Sequence, residues 1–456
     1  MADNVTVTNR RVSFDRDANA DYVVAADDVG GAYYQRVKIV HGINGESSGD
    51  VSDPNPLPIS FPAANQSAFG TLENSELTPV VQLDFIYGIN TQTGVSTTAN
   101  SATVDTNGGR LRLQCGTNSA GSAIFNSRKI IKYRPGQGMT ARFTGVFANG
   151  TANNTQIIGC GSSSNGYFIG YNGTSFGILH RNGGSDTWTA QASFNGDTLD
   201  GTGLSGVTIT PQYGNVYMIK YPFLGYGNIE FFVQHPNKVG WILFHTIRYT
   251  NTVAAVQLGN PNLFFYAQNL NSGNTENRIM YVGSVGIFLS GKRDFSVFPK
   301  QAFDNYKTGI TTENAIFAVR NATTYNGVTN RSLIRLQSLS FSASTAASQT
   351  CILRIVLGTT LGGSPSFTCR DGTTADNGVT ITSGNSIASC NTAGTTLTGG
   401  TRLYTLCFTS GSGAGGLVVD LMPFEIFLAP TETLTVSGFA TGSATIAAGL
   451  NWIEEI

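Results

Sequence analysis

The chain has 456 residues and a net charge of −1, and charged side chains make up 12% of it, about half the usual share. A protein that coats nucleic acid carries a basic excess, which is absent here, and no run of 18 apolar residues could cross a membrane as a helix. Glycine reaches 55 residues and the hydrophobic fraction 40%, a bias that disfavours helices, supplies the φ > 0 positions of tight turns and argues against general disorder.

The first residues, MADNVTVTNRRVSF, are polar and lack the apolar core of a signal peptide. VTVTNRRVSF alternates like a strand. DRDANADYVVAADDVGG is acidic, and AYYQRVKIVHGINGESSGDVSDPNPLPI runs from a strand into a Pro-rich extended segment. Residues 1–65 have too few apolar residues for an independent core, so they read as an extended anchor arm that docks on another copy or on a neighbouring protein. Asp15, Asp17, Asp21, Tyr34 and Arg36 are its candidate contacts. The alternating acids resemble the start of a calcium loop, but Ala20 and Ala26 stand where an EF-hand needs Gly and Glu. No metal is expected.

Residues 66–305 read as one β-sandwich of lectin-like or laminin-G-like type. TPVVQLDFIY puts Val81, Leu83, Phe85 and Tyr87 on one face, and NIEFFVQH sets Ile229, Phe231 and Val233 against Glu230, Phe232 and Gln234, the period of a half-buried strand. VQHPNKVGWILF has the pattern of a hairpin. The one helical interlude expected is DFSVFPKQAFDNY, residues 294–306, interrupted by Pro299. Residues 306–456 read as a second, jelly-roll β-sandwich, with strands at NAIFAVRN, SLIRLQSLSFSAS, QTCILRIVLG, TRLYTLCFTS, PFEIFLAP, ETLTVSGFA and ATIAAGLNWIEEI, a density that suits one sandwich. Between Asn391 and Val419 the only charge is Arg402, a neutrality that suits a surface packed against protein.

The stretch RKIIKYRPGQGMTARFTGVF places Arg128, Lys129, Lys132, Arg134 and Arg142 within fifteen residues. A P-loop needs GxxxxGK[ST] leading into a helix, and this stretch has neither. Met139, Ala141, Phe143, Gly145 and Phe147 alternate with Thr140, Arg142, Thr144 and Val146, so the reading is strand–turn–strand with a basic outer face. Arg128, Lys129, Lys132 and Arg134 become candidate inter-subunit contacts that could meet acidic groups of a neighbouring copy.

Catalytic patterns are weak. GCGSSSNGYFIGYNG has Ser164 where a dinucleotide loop needs its third Gly and reads as strand turns. No GxSxG elbow occurs, and His235 and His245 fall in aromatic strands. Asp186, Asp197, Asp200 and Glu230 are available for glycan hydrolysis, but their spacing singles out no pair. Trp188, Tyr171 and Tyr167 lie near loops, where an exposed ring could stack on a sugar; burial in a sandwich core is the competing reading. Six cysteines without a CxxC pair read as reduced thiols rather than zinc ligands, with one pairing after residue 350 left open. No cofactor is expected.

At the level of longer segments, GGAYYQRVKIVHGINGESSGDVSDPNPLPI resembles the N-terminal segment of structural proteins of tailed bacteriophages. AFGTLENSELTPVVQLDFIYGINTQT, the RKIIKYRPGQGMTARFTGVF stretch and GYFIGYNGTSFGILHRNGGSDTWTAQASFNGDTLDG are similar to a middle module of viral fibre-like proteins. SLIRLQSLSFSAS through CILRIVLGTTLGGSPSFTCRDG to ETLTVSGFATGSATIAAGLNWIEEI resembles a viral jelly-roll-type module. The resemblance implies a non-enzymatic virion protein, a head or tail fibre or a capsid decoration, assembled in the host cytoplasm and held on other virion proteins through its arm. Covering exposed strand edges calls for a symmetric oligomer, with a homotrimer as the first expectation. The alternatives are a tail receptor-binding lectin for host surface glycan and a glycan depolymerase.

Overall fold

The computed structural model describes residues 76–369, 386–410 and 416–456, together with the backbone of short strands at Asp3–Val7, Tyr22–Val29, Ala32–Gln35, Ala375–Asp376 and Val379–Thr380. The chain divides into two compact units, residues 1–62 and 63–456. It is all-β, with several antiparallel sheets and only short 3-10 turns outside them among the described residues.

In the first unit, Asp3–Val7, Tyr22–Val29 and Ala32–Gln35 pair as a three-stranded antiparallel sheet. The strand expected in VTVTNRRVSF overlaps the first of these at residues 5–7, and its remainder lies outside the described residues. Tyr34 lies on the last of them, paired with Asp27. Asp15, Asp17, Asp21 and Arg36 lie outside the described residues.

The second unit holds two sandwiches. In the first, a seven-stranded sheet (sheet A) runs in the order Ser185–Ala190, Ser175–Asn182, Asn165–Asn172, Asn154–Gly161, Phe264–Asn271, Ser122–Ser127, Gly94–Ala99. A six-stranded sheet (sheet B) runs Trp241–Ile247, Ile229–Gln234, Asn215–Tyr221, Met139–Gly145, Ser284–Ser290, Leu77–Asp84. Between them lies a core of aromatic and aliphatic side chains, among them Phe125, Phe143, Ile158, Tyr167, Tyr217, Phe231 and Phe265. The alternation of Met139–Gly145 is the reason it sits there: Met139, Ala141, Phe143 and Gly145 are buried, while Arg142 and Thr144 are part-exposed on the other face. Phe232 departs from the expected pattern. It is fully buried on the outer side of sheet B, beside a register shift between Phe231 and Phe232. Tyr87, expected on the face of Val81, lies past the strand end in a turn and is exposed.

In the second sandwich, sheet C runs Thr368–Cys369, Ala388–Asn391, Asn314–Asn321, Thr433–Ala440, Gln349–Leu357, Thr401–Ser410, and sheet D runs Lys300–Ile310, Ala444–Glu454, Ile334–Thr345, Leu417–Asp420. Their shared core includes Ile316, Phe317, Leu336, Leu353, Val436, Ile446, Leu450 and Trp452. Two expectations fail here. Residues 294–306 form no helix. After a turn, Lys300–Ile310 is an edge strand paired with Ala444–Glu454, and ladder hydrogen bonds to that long strand outweigh any local helical preference. PFEIFLAP is not a strand throughout. Met422–Phe424 is a 3-10 turn with a Pro in its first positions, Glu425 takes φ +47, and only Phe427–Leu428 pairs.

Cys115, Cys160 and Cys351 are buried free thiols and Cys407 is an exposed one. Burial pushes the Cys160 thiol up to about 12. Cys351 and Cys407 lie on adjacent strands without facing one another: Cys351 pairs with Phe408 and Cys407 with Ile352, so their side chains leave opposite faces of the sheet.

His245 is buried against Phe194 and Phe231, and its Nδ1 accepts the Asn195 backbone N–H at 3.3 Å. Burial, helped by the Arg248 charge, lowers its pKa to about 4. Burial also lowers that of His180. An unfolded His takes up its proton near 6.5. Between about 6.5 and 4 the unfolded chain therefore binds more protons than the native one, and stability falls as pH falls through that window. Urea midpoints are expected to drop across that range in wild type and to drop less in H245N. A flat wild-type profile would contradict the assignment.

Candidate functional site

The basic half of RKIIKYRPGQGMTARFTGVF is not a strand. Residues 128–138 form an irregular crossing from sheet A to sheet B, tied by a backbone bridge between Ile131 and Leu263. Ile130 and Ile131 are buried. Ile130 joins Leu333 and Ala429 of the second sandwich in a small apolar cluster, with Phe264 and Phe427 packed against it. These apolar anchors draw the flanking cations into the junction between the sandwiches.

There Arg128 and Lys129 meet the chain's own second sandwich, and Arg134 meets the segment that joins the two, where the inter-subunit reading expected acids of a neighbouring copy. Arg128 forks onto both carboxylate oxygens of Glu432, donates to the Phe427 carbonyl at 3.1 Å and lies 4.5 Å from the Phe427 ring. Lys129 pairs with Glu425 at 3.0 Å. Arg134 donates to the Asp294 carbonyl at 2.6 Å and rests on the ring of Phe298. Lys132 is half-buried, and burial lowers its pKa to about 8 against the opposing pull of Glu455. Arg128 and Arg134 are each only 8% exposed, which leaves no guanidinium face for another subunit.

The aromatic candidates separate. Tyr167 is fully buried between the sheets, stacked on His180 with its hydroxyl donating to Gln257 at 2.6 Å. Tyr171 is buried against Phe147 and Phe176 and accepts a hydrogen bond from Gln212 at 2.8 Å. Neither offers a ring to a ligand. On strand Asn165–Asn172, both fall on the parity that faces the core.

Trp188 has the opposite parity. It is half-buried on edge strand Ser185–Ala190, on the side of sheet A away from sheet B. A row of registered partners crosses that face: Trp188, Leu179, Phe168, Gly159, Tyr266, Asn126 and Val95. Phe168, Leu179, Tyr266 and Ile157 form a satellite apolar cluster that supports Trp188. In the next row Arg181 forks onto Asp186 at 2.6 and 2.9 Å, its guanidinium 5.5 Å from the Phe168 ring. On the same face Gln268 is buried with its Oε1 lacking a partner. An aromatic ring beside a carboxylate–guanidinium fork and an amide can offer an apolar plate and directional hydrogen bonds to a polyhydroxylated ligand.

Sequence reasoning named Trp188 and Asp186 but missed Arg181 and Gln268. A signal for Arg181 was present. Arg181 and Asp186 flank Asn182-Gly-Gly-Ser185, where Gly183 and Gly184 take φ +60 and +86. A two-residue turn of that kind makes the flanking residues cross-strand partners. Gln268 carried none, because its strand is buried on both faces.

The acidic candidates do not assemble. Asp186 lies on the outer face of sheet A. Glu230 lies on the outer face of sheet B, paired in register with Lys220, and burial raises its pKa. Sheets pack about 10 Å apart, so two outward carboxylates on opposite faces are too distant for a hydrolytic pair. Asp197 and Asp200 organise a loop, accepting the N–H groups of Leu199 and Ser205, and of Thr202, respectively. Among the described residues no three His, Cys, Asp or Glu side chains gather as metal ligands.

No family model and no curated protein matches the chain. Solved structures similar to part of the chain include the lectin UEA-II complexed with galactose (10% identity, 47% of this chain and all of that one, TM-score 0.31). They also include a legume lectin-like domain from Entamoeba histolytica (12%, 45% and 95%, 0.27) and a beta-1,3-glucanase from Mycobacterium marinum (10%, 43% and 91%, 0.30).

The Arg128–Glu432 fork is testable as a coupling. R128A is expected to cost about 2–3 kcal/mol, less than a fully buried pair because Glu432 is partly exposed. The R128M/E432Q double variant should cost less than the sum of its single variants in urea denaturation. Additive effects would show that the fork does not couple the two sandwiches.

Proposed function

We propose that this is a non-enzymatic binding protein that recognises a surface glycan through the outer face of sheet A, centred on Trp188. The observation that carries the reading is the placement of a half-exposed indole beside the Arg181–Asp186 fork, on a face already stiffened by Phe168, Leu179 and Tyr266. A rigid ring binds a pyranose face with little loss of side-chain entropy. Opposition of Asp186 and Glu230 across the sandwich supports binding without hydrolysis. On a glycan array the purified chain should bind a defined set of sugars, W188A should weaken that binding about tenfold or more, and no reducing ends should be released from bound polysaccharide. Loss of neither affinity nor selectivity in W188A would move the site elsewhere. Release of reducing ends would make the protein a depolymerase.

We further propose that it works as a fibre or decoration protein on a phage particle. What supports this is the resemblance of its segments to virion modules, together with two edges of the second sandwich. Thr401–Ser410 is an end strand of sheet C with Arg402 its single charge, and Leu417–Asp420 is an end strand of sheet D with Leu417 and Val418 exposed. Weakly charged edges invite pairing, which a homotrimer could supply. Antibody raised against residues 306–456 should label intact particles at the head or tail, and light scattering should give three chain masses. Purified particles without a copy of the chain by mass spectrometry would end the virion reading, and a monomer would end the trimer.

A further inference from the structure

Beside the Arg128–Glu432 fork, a second group of charges converges on Phe295. The guanidinium carbons of Arg293 and Arg335 each lie 4.8 Å from its ring centroid, and that of Arg134 lies 5.5 Å away. Arg335 is 1% exposed and Glu455 fully buried; the Arg335 Nε donates to Glu455 Oε1 at 2.8 Å. Arg293 reaches the same oxygen at 3.5 Å and Glu425 at 3.8 Å. Lys129 holds the other oxygen of Glu425, and the Arg335 Nη1 lies 3.9 Å from that oxygen. Lys132 faces Glu455 and Arg134 from the rim.

The charges do not balance. Lys129, Lys132, Arg134, Arg293 and Arg335 face Glu425 and Glu455, with the carboxylate of Asp294 at the edge, where it accepts the Ser296 N–H. Donors are also left over. Both Nη atoms of Arg335 and the Nη2 of Arg134 are buried without a hydrogen-bond partner, as is the Oε2 of Glu455. An unmet buried guanidinium N–H is costly, more so among like charges. Such a cluster is stabilised by an anion whose oxygens accept several N–H bonds at once, the geometry for which guanidinium groups are suited. The left-handed backbone of Glu425 fits this reading, since a non-glycine residue held at φ +47 is sparsely populated and tends to mark a functional spot.

We propose that the Arg134–Arg293–Arg335 cluster on Phe295 is a binding site for one small oxyanion, entered past Lys132 and Lys129. The chemistry recognised is a phosphate, sulfate or carboxylate group, either as the free ion or as the acid group of a charged sugar. Occupancy would lock the two sandwiches together, because Arg134 lies on the crossing inside the first, Arg293 and Phe295 lie on the segment that follows it, and Arg335 and Glu455 belong to the second.

Titration calorimetry on the full chain at constant ionic strength, balanced with chloride, tests this with sodium phosphate, sodium sulfate and sodium glucuronate in turn. One saturable site is expected for at least one of the three. K132Q, at the rim and half-exposed, should weaken it about tenfold, the loss of one charge-assisted hydrogen bond. K238Q, in the distant hairpin turn, and W188A should leave it unchanged. Tighter binding of glucuronate than of the inorganic ions would assign the group to a charged sugar, and the reverse order would assign it to a free ion. No saturable heat with any of the three, or equal affinity in K132Q and K238Q, would overturn the site. Because W188A serves as a control, failure of the sheet A glycan face and failure of this site are read separately.

Discussion

Moving a guanidinium out of water costs several kcal/mol unless an acceptor meets it, and the junction between the two sandwiches is organised by that cost. Arg128 reaches Glu432 across 304 positions of sequence. Arg335 reaches Glu455 across 120. The first pair demands one relative placement of the sandwiches, because a fork tolerates little misalignment, while the second fixes the C-terminal residues within the second sandwich. The apolar contact among Ile130, Leu333 and Ala429 is too small to specify that placement by area. Apolar burial brings the surfaces together, and the Arg128–Glu432 fork selects the register.

The same constraint separates the two candidate surfaces. At the junction the charges are desolvated and partly unbalanced, so a ligand there is recognised by charge. On sheet A, Arg181 is already neutralised by Asp186, and what is left open is a ring and polar groups of no net charge. A neutral polyhydroxylated ligand suits the second surface, and an oxyanion the first. The two lie on one compact unit and do not share residues.

Strand character was legible wherever one face of a strand is wet. Met139–Gly145 shows why: its apolar side chains alternate onto one core face, and a period of two needs no knowledge of partners; in Ile229–Gln234 the same alternation holds except at the buried Phe232. Legibility failed where the partner decided the outcome. Lys300–Ile310 contains residues that could form a helix, and pairing with Ala444–Glu454 overrides them. Glu425 sits in a turn set by Pro423 and by the cations it serves. For the binding face, Trp188 and Asp186 were visible as a ring and an acid near turns. Tyr167 and Tyr171 looked the same in sequence and are core residues, because they fall on the other parity of strands whose two faces are both largely apolar.

By itself, then, the sequence determined the all-β class, since composition, turn residues and short-range alternation act over a few positions. Only the tertiary structure decided what the basic stretch does. Its charges could have faced solvent, another subunit or a phosphate chain, and local propensity is the same in each case. The acceptors of Arg128 and Lys129 lie about three hundred residues away, and only the folded chain brings a desolvated cation to the carboxylate that makes its burial affordable.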